Sequence, residues 1–163
     1  MYLTQKVLKK LQELSETLLF ESDSLPSDKQ LKKELGSDLF DSKARIVKAW
    51  SKKYCISKRL LSVIWRRAEL AAAVGKKCQC IPWGVVTDIF KASVRKHFKL
   101  TRCGRKNIPP VIIKGKALKT HKDIKPGGAL ERYYIAKIRE LVKKCPNWDK
   151  LPDCAGSKKS DYF

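Results

Sequence analysis

Leu3, Val7, Leu11, Leu14 and Leu18 recur at steps of three and four with lysines and glutamates between them. That is the period of an amphipathic helix, and it predicts one over residues 2–20. From 21 to 38 the pattern breaks into Ser, Asp, Pro, Lys and Gly, with Pro26 and Gly36 as punctuation. A linker carrying one short helical turn around Lys29–Leu35 is expected there. Leu39–Lys53 resumes the helical period, with Phe40, Ala44, Val47 and Trp50 on one face and Lys43, Arg45, Lys48 and Lys52 on the others.

Tyr54-Cys55-Ile56 separates this helix from a third, Ser57–Val74, in which Ser57 is placed to cap the first turn and Leu61, Ile64, Trp65, Ala68 and Ala71 form the apolar stripe. Gly75 closes it. After the polar bend KKCQC, Pro82 occupies a helix-opening position and Trp83, Val86, Phe90, Val94 and His97 continue one face. Residues 101–128 lose helical periodicity and collect glycines and prolines around the β-branched run Val111–Ile113, which reads as a basic loop or short hairpin. Leu130, Tyr134, Ile138 and Leu141 then define a last helix over 129–145, which Pro146 ends. A short tail follows over 146–163, whose final seven residues are expected to fray. The pattern as a whole predicts an all-α helical bundle, one domain over 1–163, with a helical body at 39–100 and no internal repeat.

Composition sharpens this picture. Hydrophobic residues are 43% of the 163, and four are Trp. So much apolar material in a chain of this length makes a packed core rather than a disordered basic tail. Against the core stands a net charge of +21 that is unevenly placed. Residues 1–42 hold 6 basic and 8 acidic side chains, 43–125 hold 23 and 3, and 126–163 hold 8 and 5. The basic residues of the middle stretch lie on the polar faces of well-patterned helices: Lys52, Lys53, Lys58, Arg59, Arg66 and Arg67, then Lys91, Arg95, Lys96 and Lys99. Arg102, Arg105 and Lys106 follow in the loop. An ordinary solvated face mixes signs so that neighbours pair along the helix. Here Glu69, Asp88 and Asp123 are the only acids against 23 cations, so the excess points to a polyanion, and lysine and arginine on helix surfaces bind nucleic-acid phosphates by releasing condensed counterions. These thirteen cations are the candidate nucleic-acid-binding residues.

Other chemistries fit less well. An anionic membrane would require bulky apolar residues exposed opposite the charges, whereas the Trp and Leu stripes are committed to a core. No apolar run reaches bilayer length, and neither a signal core nor a transit composition opens the chain, so a cytoplasmic protein with mostly free thiols at its six cysteines is expected. Cys78, Cys80, His97, Cys103 and His121 crowd one region, but C-x-C is not the gap of common zinc knuckles and no second pair matches it, so no metal or cofactor is expected. Three scattered acids offer no carboxylate cluster for a metal-dependent nuclease. Neither G-x-G-x-x-G nor G-x-x-x-x-G-K-[ST] occurs, so no nucleotide cradle is expected. Of the aromatics, Trp50, Trp65 and Trp83 fall on apolar faces and read as core. Tyr133 and Tyr134 cannot both point inward, which leaves one free to stack on a base. The pair of helices joined at Tyr54-Cys55-Ile56 also matches the layout of a helix-turn-helix, with Lys58 and Arg59 first into the major groove.

A small helical body with a net-acidic N-terminal stretch, a strongly basic flank and a helix opening at Met1-Tyr2-Leu3 resembles the small subunits of RNA-guided CRISPR surveillance complexes. The resemblance covers length, helix content and charge across the chain and transfers no individual residue. It implies a non-enzymatic protein that assembles with other subunits, including copies of itself, and holds target or displaced DNA by its phosphates without reading bases. In several such systems the small subunit is the C-terminal domain of the large one made from an internal start, and the leaderless helix at Met1 fits that origin.

Overall fold

The computed structural model describes residues 25–103, 112–113 and 124–163. The helix expected over 2–20, the start of the linker and most of the basic loop, including Arg105, Lys106 and His121, lie outside these residues. Within them the elements are α1 (Asp28–Leu35), α2 (Arg45–Tyr54), α3 (Lys58–Gly75), α4 (Trp83–His97), β1 (Phe98–Lys99), β2 (Ile112–Ile113) and α5 (Ala129–Lys144). Two 3-10 turns, Trp148–Lys150 and Lys159–Asp161, close the chain. The fold is mainly helical, as the periodicity predicts.

Helix α3 is the axis of the molecule. Both α4 and α5 pack against it, and α2 touches it as well. Ser57 caps it by accepting the Leu60 N–H, and Leu60, Leu61, Val63, Ile64, Trp65, Ala68, Leu70 and Ala73 are all buried. A helix covered on so many sides also takes polar groups inside, and most find partners, since an unpaired buried group costs about 1–3 kcal/mol. On this helix the Trp65 indole N–H and the Arg66 Nε are the ones left without a hydrogen bond among the described residues. Ser62 Oγ accepts the Ser42 N–H at 2.8 Å and donates to the Lys58 carbonyl at 2.7 Å. Arg66 donates to Glu69 at 3.0 Å and to Asp38, and its guanidinium lies over the Trp148 ring at 4.6 Å. On α4, Trp83 stacks parallel to Trp65 and donates its indole N–H to Asp153 at 2.8 Å.

Three boundaries differ from expectation. The helical turn in the linker is a two-turn helix, α1, capped by Ser27 and anchored by buried Leu31 and Leu35. The next helix begins at Arg45 rather than Leu39, because Ser42 and Ala44 are held extended by the Ser62 hydroxyl and by Ser42's own side chain, which accepts the Ala44 N–H at 3.2 Å. In the basic loop, the β-branched pair Ile112–Ile113 does form strand, but its partner is Phe98–Lys99 at the end of α4.

The tail and the cysteines require correction. Residues 157–163 do not fray: the Arg45 N–H and Nε donate to the carbonyls of Tyr162 and Phe163, and the Phe163 ring packs edge-on against Trp65 and Trp83. The six cysteines are not free thiols. They pair as Cys55–Cys103, Cys78–Cys145 and Cys80–Cys154. The last two tie the bend after α3 to the end of α5 and to the tail, where Ile81 and Asp153 form a parallel bridge. No described helix is long and apolar enough to cross a membrane.

Candidate nucleic-acid interface

The expected cations divide into two groups once their surroundings are known. Arg66 is buried and spent on Glu69, Asp38 and Trp148. Arg59 is three-quarters covered. It donates from Nε and one terminal nitrogen to the buried Glu131 at 2.7–3.1 Å and from both terminal nitrogens to Asp28, and its plane lies 3.9 Å from the Phe40 ring centre. Glu131 and Asp28 push its pKa still higher. Lys58 pairs with Asp41 at 2.6 Å, and Lys58 and Lys43 together hold the Asp41 carboxyl down at about 2. Arg67 is half-buried against Ser93. These four positions, expected as phosphate contacts, are each engaged by side chains of the protein itself.

Lys58 and Arg59 are also the residues that a helix-turn-helix would insert first. With both engaged by carboxylates, and with α3 buried along its length, that helix has no free face to lay in a major groove.

The second group is exposed. Lys52 and Lys53 occupy the last turn of α2, Arg95 and Lys96 the last turn of α4, Lys99 lies on β1 and Arg102 three residues beyond it. Lys91 is half-buried one turn before Arg95. None of the seven makes an ion pair with a described residue. Cations at helix C-termini are favoured by the helix dipole, which explains why these last turns are basic. It does not explain why the two ends meet.

They meet through the Trp50 side chain and the Cys55–Cys103 bridge. Trp50 packs at 5.6 Å on Phe90 of α4 and at 5.3 Å edge-on to Tyr54, while the Arg95 guanidinium lies 5.8 Å from its ring centre. The Cys103 N–H donates to the Lys53 carbonyl at 3.0 Å and its sulfur approaches the Lys52 carbonyl at 3.2 Å. Residues 101–103 are thereby laid along the end of α2. Between them opens a depression of about 560 Å³ lined by Ala49, Lys52, Lys53, Arg102 and Cys103. Sequence reasoning found its three cations but missed what joins them. The available signal was the even number of cysteines, one at each of the two segments.

The remaining candidates settle into the core. His97 is buried and shares a 2.6 Å hydrogen bond with the Tyr134 hydroxyl. Of the two adjacent tyrosines Tyr134 points inward, and Tyr133 is half-buried with Lys137 over its ring at 5.5 Å. Cys78, Cys80 and Cys103 belong to three separate bridges, and no group of three metal-binding side chains occurs among the described residues. The chain matches no known protein-family model, no curated protein sequence and no solved structure.

Proposed function

We propose that this protein is a non-enzymatic, phosphate-backbone-binding subunit of a larger ribonucleoprotein assembly, of the kind that the resemblance to CRISPR small subunits suggests. The observation that carries the reading is the convergence of Lys52, Lys53 and Arg102 from segments about fifty residues apart into one exposed depression, with Arg95 over the neighbouring Trp50 ring, that no carboxylate lines among the described residues. Like charges lining one depression repel one another, and a polyanion removes the repulsion. The depression's described lining holds lysine and arginine, the side chains that grip phosphate oxygens, and no Asn or Gln to pair with an adenine edge, which suits backbone recognition.

The proposed compartment is the cytoplasm, with fixed protein partners. The three disulfides fit oxidising surroundings, so in a reducing cytoplasm the bridged form would be the one reached under oxidation and the thiol form the resting one.

The reading is tested with Lys52→Ala, Lys53→Ala double variants in fluorescence anisotropy against several unrelated oligonucleotides over a salt series. Affinity should fall equally on all of them, and the salt slope should flatten by about one unit per lost contact. Loss confined to one sequence would favour a base-reading protein. Metal-dependent cleavage of any of the oligonucleotides would overturn the non-enzymatic reading.

A further inference from the structure

We infer that the pocket of Lys52, Lys53 and Arg102 is a phosphate site assembled by oxidation, closed when Cys55 and Cys103 are bridged and open when they are thiols. The inference rests on the nucleic-acid reading and names how that surface is regulated.

Helix α2 ends at Cys55, which takes a left-handed conformation with φ 51°. Glycine or asparagine usually fills that C-terminal position because a side chain with Cβ is strained there. Cysteine is a poor choice for the turn itself and a good one for a crosslink. The bridge spans 48 residues of sequence and brings the two Cα atoms to 5.9 Å. It sets residue 103 where its N–H satisfies the Lys53 carbonyl, one of the last carbonyls of α2 and so part of that helix's negative end. The pocket floor thus loses some of the partial charge that would repel an anion, while its rim keeps three cations.

Arg102 depends on this arrangement. Phe98 is fully buried and paired with Ile113, so the chain stays anchored at β1 whatever the state of the cysteines. Past that anchor, the bridge and the two contacts of Cys103 to α2 fix residues 101–103 beside two lysines that repel Arg102. Cys55 is exposed, so the bridge is within reach of a dithiol reductant. Exchange would pass two electrons and two protons to the pair, giving two thiols, and the reductant would leave as its own disulfide. The released segment then swings Arg102 away from Lys52 and Lys53, and the body keeps its fold.

The full chain is measured with a labelled poly-dT 20-mer, air-oxidised and again with excess dithiothreitol. The oxidised protein should bind about tenfold more tightly at moderate salt, with a salt slope steeper by about one unit, the contact that Arg102 adds. Reductant reaches all three bridges, so the double variant Cys55→Ser, Cys103→Ser is measured without it and should reproduce the reduced value. Arg102→Ala, an exposed change that leaves the bridge intact, should bind weakly in both states and lose its response to reductant. This second variant keeps the test valid if the double variant fails to fold. Oxidised protein that binds the 20-mer with an affinity indifferent to reductant, in wild type and Arg102→Ala alike, overturns the inference and leaves the nucleic-acid reading standing. Oxidised protein that binds no oligonucleotide at all removes that reading and this one with it.

Discussion

His97 shows what burial does to a single titratable group. It closes the apolar stripe of α4 against Tyr134, and loss of water, reinforced by the neighbouring Lys96 and Arg67, pulls its pKa down to about 4. Burial pushes the Tyr134 hydroxyl in the opposite direction, upward, so both partners stay neutral near pH 7. In the unfolded chain the imidazole titrates near its ordinary 6.5. Between pH 6.5 and 4 the unfolded state therefore binds a proton that the folded state refuses. The contribution of this residue is complete above 6.5 and declines as pH falls toward 4, by up to about 3 kcal/mol. Urea melts at pH 7 and pH 4.5 should show that decline, and His97→Gln should shrink the difference between the two pH values. An unchanged difference in the variant would place the acid sensitivity elsewhere. The same residue scale limits sequence reading: a cation on a helix's polar face looks alike whether it meets water or a carboxylate. Arg59 finds Asp28 and Glu131 at separations of 31 and 72 residues, and no local pattern carries that information.

Elements were more legible than their ends. The periodic stretches that became α3, α4 and α5 lie within a residue or two of their expected bounds because apolar spacing sets helix existence and the capping Ser57 and breaking Pro146 set its limits. The stretch from Leu39 to Ala44 has helical spacing too, yet the hydroxyls of Ser42 and Ser62 capture its backbone N–H groups, a tertiary event that overrides local propensity. The tail was misread for a related reason. Its order comes from contacts made far along the chain, through Trp148, Phe163 and the Cys80–Cys154 bridge. That bridge should matter to stability and not to binding. Replacing both cysteines with serine should lower unfolding free energy by about 2–4 kcal/mol, read from denaturant midpoints in non-reducing buffer. Oligonucleotide affinity of the folded variant should match wild type. A matching loss of affinity would mean that the tail shapes the cationic surface.

For the molecule as a whole the decisive quantity is the +21 net charge, and it was visible from composition alone. What composition does not distinguish is the sign of its effect on the free protein. Ion pairs such as Lys58–Asp41 and Arg59–Glu131 attract, and salt weakens the exposed ones among them. The cations at the ends of α2 and α4, which no described carboxylate pairs, repel, and salt weakens that as well. The most buried pairs, Arg66–Glu69 above all, are shielded from mobile ions, while the unpaired lysines and arginines stand in solvent where screening is strongest. Repulsion is therefore the part that salt removes. Raising ionic strength from about 10 to 150 mM shortens the screening length from about 30 to 8 Å and should raise the thermal midpoint of the free protein. On the proposed function, affinity for an oligonucleotide should fall over the same range, because phosphates and added ions relieve the same repulsion. Thermal melts with and without a 20-mer across this series should converge as salt rises. A midpoint that falls with salt in the free protein would mean that attraction outweighs repulsion at the surface, and with it would go the argument that the exposed cations are waiting for a polyanion.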